Sequence, residues 1–379
     1  MARSFFRKLL TYLSSDDELD AVINAEADGE SSRHHGNRQR RKFIRRGHIQ
    51  GHECLFRDYF SENPVYPSNL FRRRFRMSRP LFLRILNEVE VYEPYFVQRR
   101  DNAGRLGLSS MQKITAALRM LAYGVTGDFM DEYIRIGEST AMESLKKFCK
   151  TIVTIFSDEY LRSPNANDIA RLLVVGEQRG FPGMLGSIDC MHWKWKNCPA
   201  AWKERSFIFT ELAQGRAPPV NYTINGNDYT MGYYLADGIY PKWSTFVKTI
   251  PSPQGNKKKN FARAQESARK DVERAFGVLQ QRFAIVRGPS RLFKVNDLTN
   301  IMKTCVILHN MIIEDERDDS QGLNMEYDQL DDDIPELSRN PTNEFMNFIQ
   351  RHHEIRDSSA HHHLQVDLIE HHWQFHSQQ

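Results

Sequence analysis

The chain has 379 residues, and its 52 lysines and arginines nearly balance 48 aspartates and glutamates, for a formal net charge of +4. This length predicts about two folded domains with some tail, and the charge excludes a polycation, so any affinity for nucleic acid must come from how charge is distributed. No run of about 18 apolar residues occurs, the apolar start is too short for a secretory signal, and the five cysteines form no CxxC pair; we therefore expect a soluble intracellular protein with no membrane contact, disulfide framework or zinc ribbon.

Residues 1–54 divide by charge, since an acidic block is followed by the basic block RQRRKFIRR. Such blocks do not bury enough apolar surface to fold alone, so we predict a disordered arm. The basic block can neutralise phosphates and also suits a nuclear import signal, although a merely solvated tail is the alternative. The candidate DNA-binding residues of this arm are Arg40, Arg41, Lys42, Arg45 and Arg46.

Residues 55–175 show apolar residues three and four apart, which predicts helices. One helix is expected after the cap Ser110, and a second after Gly137, where Thr140 and Glu143 form a T-x-x-E capping box. Two helices separated by short Gly-containing segments suit a helix-turn-helix, with Lys146 and Lys147 facing DNA. A helical bundle without DNA contact would give the same pattern.

Residues 176–313 change to short β-like runs, MLGSID and GYYLAD, followed by long helical stretches, so the fold class is α/β or α+β. Residues 314–379 begin with an acidic stretch and end in a polar, His-rich segment. We predict that this tail is disordered.

Two carboxylates end the two predicted strands, where open sheets place their ligands: Asp189 follows the first and Asp237 the second. Glu273 borders the apolar stripe of the long helix and can lean over the sheet edge. Three converging carboxylates repel one another unless divalent cations lie between them, which predicts a metal site. The alternative is that the aspartates cap turns and that Glu273 belongs to an exposed helix face.

The sequence around and after these acids contains long, family-specific motifs: GSIDCMHWKWKNCPAAWK, VNYTINGNDYTMGYYLADGIYP, ARKDVERAFGVLQQRFAIVRGPSR and NIMKTCVILHNMIIEDER. These stretches resemble the plant PIF/Harbinger transposases and their domesticated nuclease-like relatives, over residues 55–317. The resemblance implies a ribonuclease-H-like DDE core in which Asp189, Asp237 and Glu273 are catalytic and hold Mg²⁺ or Mn²⁺. It also implies that Arg269 contacts phosphate, that DNA and a Myb-like protein are partners, and that the protein acts in the nucleus. Association with further copies of the chain is left open.

The interval between the first two acids departs from this family. A ribonuclease-H-like core needs roughly 33 to 42 residues there for two strands and a helix, with their connections. The part of this interval that could hold them, residues 203–231, has 231 − 202 = 29 residues and contains Pro218 and Pro219. We predict that two strands and a helix are lacking, through a shortening near 203–218, and that activity is weakened or lost. The alternatives are a non-catalytic module that binds DNA or chromatin proteins and a truncated product without a stable fold.

Overall fold

The computed structural model describes residues 44–189, 191, 193–197, 219–320 and 357–377. The first part is helical, with α1 (His48–Tyr59), α2 (Ser68–Phe75), α3 (Arg79–Tyr92), α4 (Ser110–Tyr123), α5 (Asp131–Ile134), α6 (Glu138–Tyr160) and α7 (Ala166–Gln178). The rest contains β1 (Met184–Ser187), β2 (Pro219–Ile224), β3 (Asn227–Met231), β4 (Tyr233–Ala236), β5 (Phe246–Lys248), α8 (Asn256–Arg282), α9 (Val295–Ser320) and α10 (Ser358–Ser377). The predicted mixture of helices and strands is confirmed in this coarse form.

The caps of the predicted helices lie elsewhere than expected. Ser109, rather than Ser110, caps α4: its hydroxyl accepts the Gln112 N–H, and the Gln112 side chain accepts the Ser109 N–H. The predicted capping box of Thr140 and Glu143 is wrong, because α6 already begins at Glu138 and Thr140 lies inside its first turn. Between α4 and α6, residues 124–137 hold a 3-10 turn and α5, which is longer than the turn of a helix-turn-helix.

The largest hydrophobic core, core one, joins helices α1 to α6 with α9 and the C-terminal half of α8. Helix α9 packs along α6, where the Thr304 hydroxyl donates to the Cys149 carbonyl at 3.1 Å and the Asn310 amide donates to the Tyr160 carbonyl at 3.3 Å. Core one therefore contains residues from both sides of the predicted boundary at 175/176. The domain boundaries themselves stay a prediction.

Strands β1, β4 and β5 form a parallel sheet in the order β1-β4-β5. Its residues alternate between two faces: Tyr233 and Leu235 face core two, which α8 and α10 complete, while Tyr234 and Ala236 face core three with residues of α7. A parallel sheet is covered by helices on both faces, which explains why its strands are continuous apolar runs. The three strands of this sheet are held between these helices.

Besides β4, strands β2 and β3 lie in the chain between Asp189 and Asp237, but they do not join the β1-β4-β5 sheet, so the prediction that the core sheet lacks two strands stays a prediction. Strands β2 and β3 pair as an antiparallel hairpin whose turn is Asn225–Gly226, where both residues have positive φ. Among the described strands, the hairpin forms its own sheet and β1 pairs only with β4. The predicted shortening near 203–218 and the missing helix lie outside the described residues.

Two parts of the segment predicted to be a disordered tail are helical, while residues 321–356 and 378–379 of it lie outside the described residues. Helix α9 continues to Ser320, and residues 358–377 form α10, which packs on α8, β5 and the hairpin. Its buried side chains recur at helical spacing: His361, Leu364, Leu368 and His372. Disorder was predicted from the polar, His-rich composition, which concealed this stripe because two of its four members are histidines.

No helix in the described ranges has the combined length and apolar character needed to span a lipid bilayer.

Candidate functional site

The two strand-end aspartates lie at the same edge of the sheet. In the β1–β4 register, Ser187 pairs with Leu235, and the ladder continues one step because the Ile188 N–H donates to the Leu235 carbonyl at 2.8 Å. Extending this register by two residues puts Asp189 level with Asp237, on strands about 4.8 Å apart. Both aspartates are half-buried.

Asp237 also takes part in a turn, as the alternative interpretation anticipated. Its carboxylate accepts the Gly238 N–H at 2.5 Å, and its carbonyl accepts the Tyr240 N–H at 3.3 Å. A carboxylate has four lone-pair sites, so this bond leaves further acceptor capacity. The turn therefore orients the Asp237 side chain and leaves some of its hydrogen-bond acceptor sites available.

Helix α8 is attached to this edge through its buried face. The Gln265 amide donates to the carbonyls of Ala236 at 3.1 Å and Val247 at 3.2 Å, so it bridges the ends of β4 and β5. The Ser187 hydroxyl donates to the Ala268 carbonyl at 3.2 Å. The helix thus crosses the sheet beside the residues that precede both aspartates.

Glu273 lies on the flank of α8, and its side chain is 43% exposed. It follows Ala268 by five residues, about 7.5 Å further along the helix axis. Its carboxylate pairs with the Arg269 guanidinium at 2.7 Å, while Arg269 is only 13% exposed and its Nε–H has no partner among the described atoms. An arginine thus neutralises Glu273.

The β1–β4 register, extended past the strand ends, puts two of the three predicted acids at one edge of the sheet, and their roles stay a prediction. Within the described residues, no three His, Cys, Asp or Glu side chains form a group that could hold a metal ion. Asp189 and Asp237 fit a divalent cation in donor chemistry and register, since hard cations prefer carboxylate oxygens. Glu273 pairs with Arg269 instead.

A lysine that the sequence interpretation missed lies beside Asp237. Lys248 ends β5 and is in register with Ala236. Burial lowers the pKa of Lys248, the neighbouring Lys242 lowers it further, and the Asp237 carboxylate opposes both effects. Only the strand pairing reveals this lysine, because it is separated from Asp237 by eleven positions in the chain.

The predicted DNA-binding residues differ in exposure and in whether an acidic side chain pairs with them. Arg40, Arg41 and Lys42 lie outside the described residues, and Arg45 is exposed. The other three basic residues outside α8 have acidic partners: Arg46 binds Asp131 at 2.8 Å, Lys146 binds Asp297 at 2.8 Å, and Lys147 lies 3.8 Å from Glu93. The role of all these residues in DNA binding stays a prediction, and the charge of the two lysines is offset within the fold.

An arginine-rich stretch at the C-terminal end of α2 was also missed, although its run RRRFR is visible in the sequence. Part of it is structural: Arg74 stacks over Tyr66 at 3.9 Å, and Arg72 lies 3.9 Å from Asp315. Arg73 is exposed. This stretch therefore combines internal packing with positive surface charge.

Comparison with known proteins gives two matches to family models. Residues 158–205 and 203–320 match the family described as "Plant transposon protein". Residues 51–90, which include α2 and most of α3, match a domain of unknown function. No curated protein and no solved structure matches the chain.

Proposed function

We propose, on the premise that residues 158–320 of this chain belong to the plant transposon protein family, that the protein is a transposase-derived, metal-dependent DNA endonuclease of the DDE class. The family match confirms the predicted relation to plant PIF/Harbinger-like transposases. The observation that carries the catalytic part is the parallel register of β1 with β4, which, extended by two residues, puts Asp189 level with Asp237. Both acids lie inside the matched region.

The strand arrangement supports a ribonuclease-H-like core. Such a core has an antiparallel pair between its first and second acids, and β2 and β3 form this pair in the expected place along the chain. The third acid lies on the helix that follows β5, as in that fold class. The separate pairing of the hairpin is the departure that makes weakened activity part of the proposal.

Asp189 and Asp237 would hold a Mg²⁺ or Mn²⁺ ion, and Glu273 would join them. When bound, such an ion makes a water or a 3′-hydroxyl a better nucleophile and stabilises the leaving oxygen of the phosphodiester. Arg269 keeps the Glu273 carboxylate neutralised in the metal-free protein. Release of Glu273 would free Arg269 to meet a phosphate, for which a guanidinium is well suited.

Cleavage of DNA by the purified full chain tests this function. We expect Mg²⁺- or Mn²⁺-dependent cutting that falls by about 100-fold or more in Asp189→Asn, Asp237→Asn and Glu273→Gln. Glu266→Gln is the matched control, because Glu266 is exposed on the same helix and also pairs with a cation four residues away, Lys270. Equal cleavage by control and site variants would refute the assignment.

Metal binding has its own readout in the melting temperature. Any ion that binds only the folded chain raises the free energy of unfolding by mass action. We expect Mn²⁺ to raise the melting temperature of the wild type and of Glu266→Gln, but not of the double variant Asp189→Asn/Asp237→Asn. A shift that survives the double substitution would place the ion elsewhere.

A second candidate function is a non-catalytic module that binds DNA or chromatin proteins. The ion pair between Arg269 and Glu273, with no three-residue metal group in the described parts of the chain, favours it. This module would retain DNA at low salt and release it steeply as salt rises, and Asp237→Ala would leave both properties unchanged. Metal-dependent cutting by the wild type would exclude it.

Partners and location are proposals of the same kind. DNA follows from the family, and a Myb-like protein is proposed to supply further DNA binding. Co-purification of the tagged full chain with Myb-like proteins tests the partner, and sedimentation tests self-association.

Nuclear location is proposed from the block containing Arg40, Arg41 and Lys42. Alanines at these three positions should shift a fluorescent fusion of the protein toward the cytoplasm.

A further inference from the structure

Two basic segments, residues 193–197 and 287–294, lie side by side; together they are called the basic ribbon. Trp195 and Ser290 form a parallel β-bridge. The Lys196 N–H donates to the Ser290 carbonyl at 2.9 Å, and the Ser290 N–H donates to the Lys194 carbonyl at 2.8 Å. Segments almost a hundred positions apart are therefore joined by their backbones.

Tryptophan side chains fix the basic ribbon in place. The indole N–H of Trp193 donates to the Gly288 carbonyl at 2.8 Å, and that of Trp195 donates to the Leu292 carbonyl at 2.7 Å. Trp193 and Leu292 also pack against core one. The surface is thus preorganised, so binding costs little ordering entropy.

The outer side of the basic ribbon carries positive charge alone. Its cationic side chains are all exposed, and neither segment contains an acid. None of these side chains has an ion pair with a described residue: Lys194, Lys196, Arg287, Arg291 and Lys294. A concentration of exposed cations without such pairs among the described residues is the footprint of a polyanion-binding surface.

One aromatic ring stands among these cations. Phe293 is 81% exposed, although a phenylalanine ring has a large apolar surface to bury. Cations that follow a phosphate backbone, combined with an aromatic platform, are the combination with which proteins bind unpaired nucleic acid strands. An acidic peptide would use the charges without needing the ring.

The basic ribbon is near the candidate site. Lys194 follows Asp189 by five residues, so their Cα atoms are at most about 18 Å apart. At about 3.4 Å of helix axis per phosphate of one strand, this distance corresponds to roughly five nucleotides. A strand held at the ribbon can therefore reach the strand-end aspartates.

We propose that the basic ribbon binds an unpaired DNA strand beside the cleavage site, with its cations on the phosphates and Phe293 stacked on a base. The proposal rests on the proposed function, because it takes DNA as the substrate of the neighbouring acids. It assigns the ribbon a role separate from the predicted basic arm. The ribbon acts on binding and does not touch the reacting atoms.

Binding of the full chain to labelled DNA in the presence of EDTA tests the charge contribution. Lys194→Ala/Arg291→Ala should weaken binding and reduce the slope of log affinity against log salt by about 1.8 if both residues contact duplex phosphates, somewhat less on single strands. The matched control is Lys258→Ala/Lys270→Ala, which removes the same charge from exposed positions of α8. An equal loss in both double variants would overturn the proposal.

A second comparison tests the ring. A blunt duplex is compared with the same duplex carrying a single-stranded 3′ extension. Phe293→Ala should lower the affinity for the extended duplex about tenfold and leave the affinity for the blunt duplex unchanged. Phe293→Trp should restore it, and Phe129→Ala, at a ring 65% exposed elsewhere, should have no effect. No selective loss, or competition by polyglutamate or anionic vesicles as strong as by DNA, would overturn the assignment. Because binding is measured in EDTA, without cleavage, an unaltered affinity of the ribbon variants would refute the ribbon alone, whereas failure of the nuclease appears as missing Mg²⁺-dependent cutting by the wild type.

Discussion

His309 shows how one residue ties the stability of this protein to pH. Its ring is buried on α9 and contacts the Arg282 guanidinium at 3.3 Å, which in turn binds Glu316 at 2.6 Å. Burial, and then the positive charge of Arg282, lower the pKa of His309 from 6.5 to about 4. The neutral ring is therefore part of the folded state.

We predict that the free energy of unfolding falls as pH is lowered from 6.5 to 4. In this window the unfolded chain binds a proton that the folded chain excludes, so the loss reaches on the order of 3 kcal/mol. Burial also lowers the pKa of His361 and His371, which act in the same direction. Denaturant titrations at several pH values in this range give the free energy of unfolding as a function of pH. This free energy should fall less steeply with falling pH in His309→Gln than in the wild type. His362→Gln, at an exposed position, should match the wild type.

Gly183 is required where the chain enters β1. Its φ is +78°, and a Cβ there would meet the Tyr222 ring at 2.3 Å. We expect Gly183→Ala to lower the free energy of unfolding by about 3 kcal/mol, from the left-handed backbone and the clash together. Gly104→Ala separates the two effects, because Gly104 has φ +73° and open space around it, and should cost about 1 kcal/mol. Equal losses in urea unfolding would contradict the role of Tyr222.

At the scale of elements, α10 replaces contacts that the sheet lacks at its β5 edge. The Gln365 amide donates to the Lys248 carbonyl at 3.0 Å, and the His361 ring is 2.7 Å from the Phe246 carbonyl. Asp367 accepts from Tyr229 and Asn227 of the hairpin. One helix thus covers a strand edge and holds β3, which counteracts the tendency of open edges to pair with other chains.

Leu368 should decide whether α10 stays docked. It is fully buried in core two, so Leu368→Ala is expected to cost about 3 kcal/mol by loss of contacts and the cavity that remains. Hydrogen exchange should accelerate across α10 and the hairpin together. Val366→Ala, at a half-exposed position of the same helix, should change neither exchange nor melting by a measurable amount.

At the scale of the whole molecule, core one makes the N-terminal helices depend on α9. Tyr160 on α6 donates to Glu314 on α9 at 2.6 Å, and the buried residues Ile307 and Leu308 pack in the same core as Phe148. Removing α9 would expose this apolar surface. The helical part is therefore not expected to fold by itself, despite its continuous pattern.

Circular dichroism of two fragments tests this dependence. The fragment 1–175 should melt without a cooperative transition, while 1–320, which retains α9, should melt cooperatively. If 1–175 melts as sharply as 1–320, the predicted helical domain is independent and core one is not a single unit.

The sequence by itself determined the elements with strong local patterns. MLGSID and GYYLAD are apolar runs next to glycines and became β1 and β4, while the stripe through Ala268, Val272 and Phe276 became the buried face of α8. The family motifs predicted which acids are the catalytic candidates. These features need only neighbouring residues, because periodicity and motif spacing are properties of short segments.

Only the tertiary structure decided the pairings. The level of Asp189 with Asp237, the neutralisation of Glu273, the docking of α10 and the basic ribbon all join distant positions, as between Trp195 and Leu292, 97 apart. Arg269 illustrates the limit: the motif predicted a phosphate contact, whereas the fold gives it a carboxylate. Local periodicity does not encode such contacts, because long-range packing and charge pairing depend on where the whole chain brings each side chain.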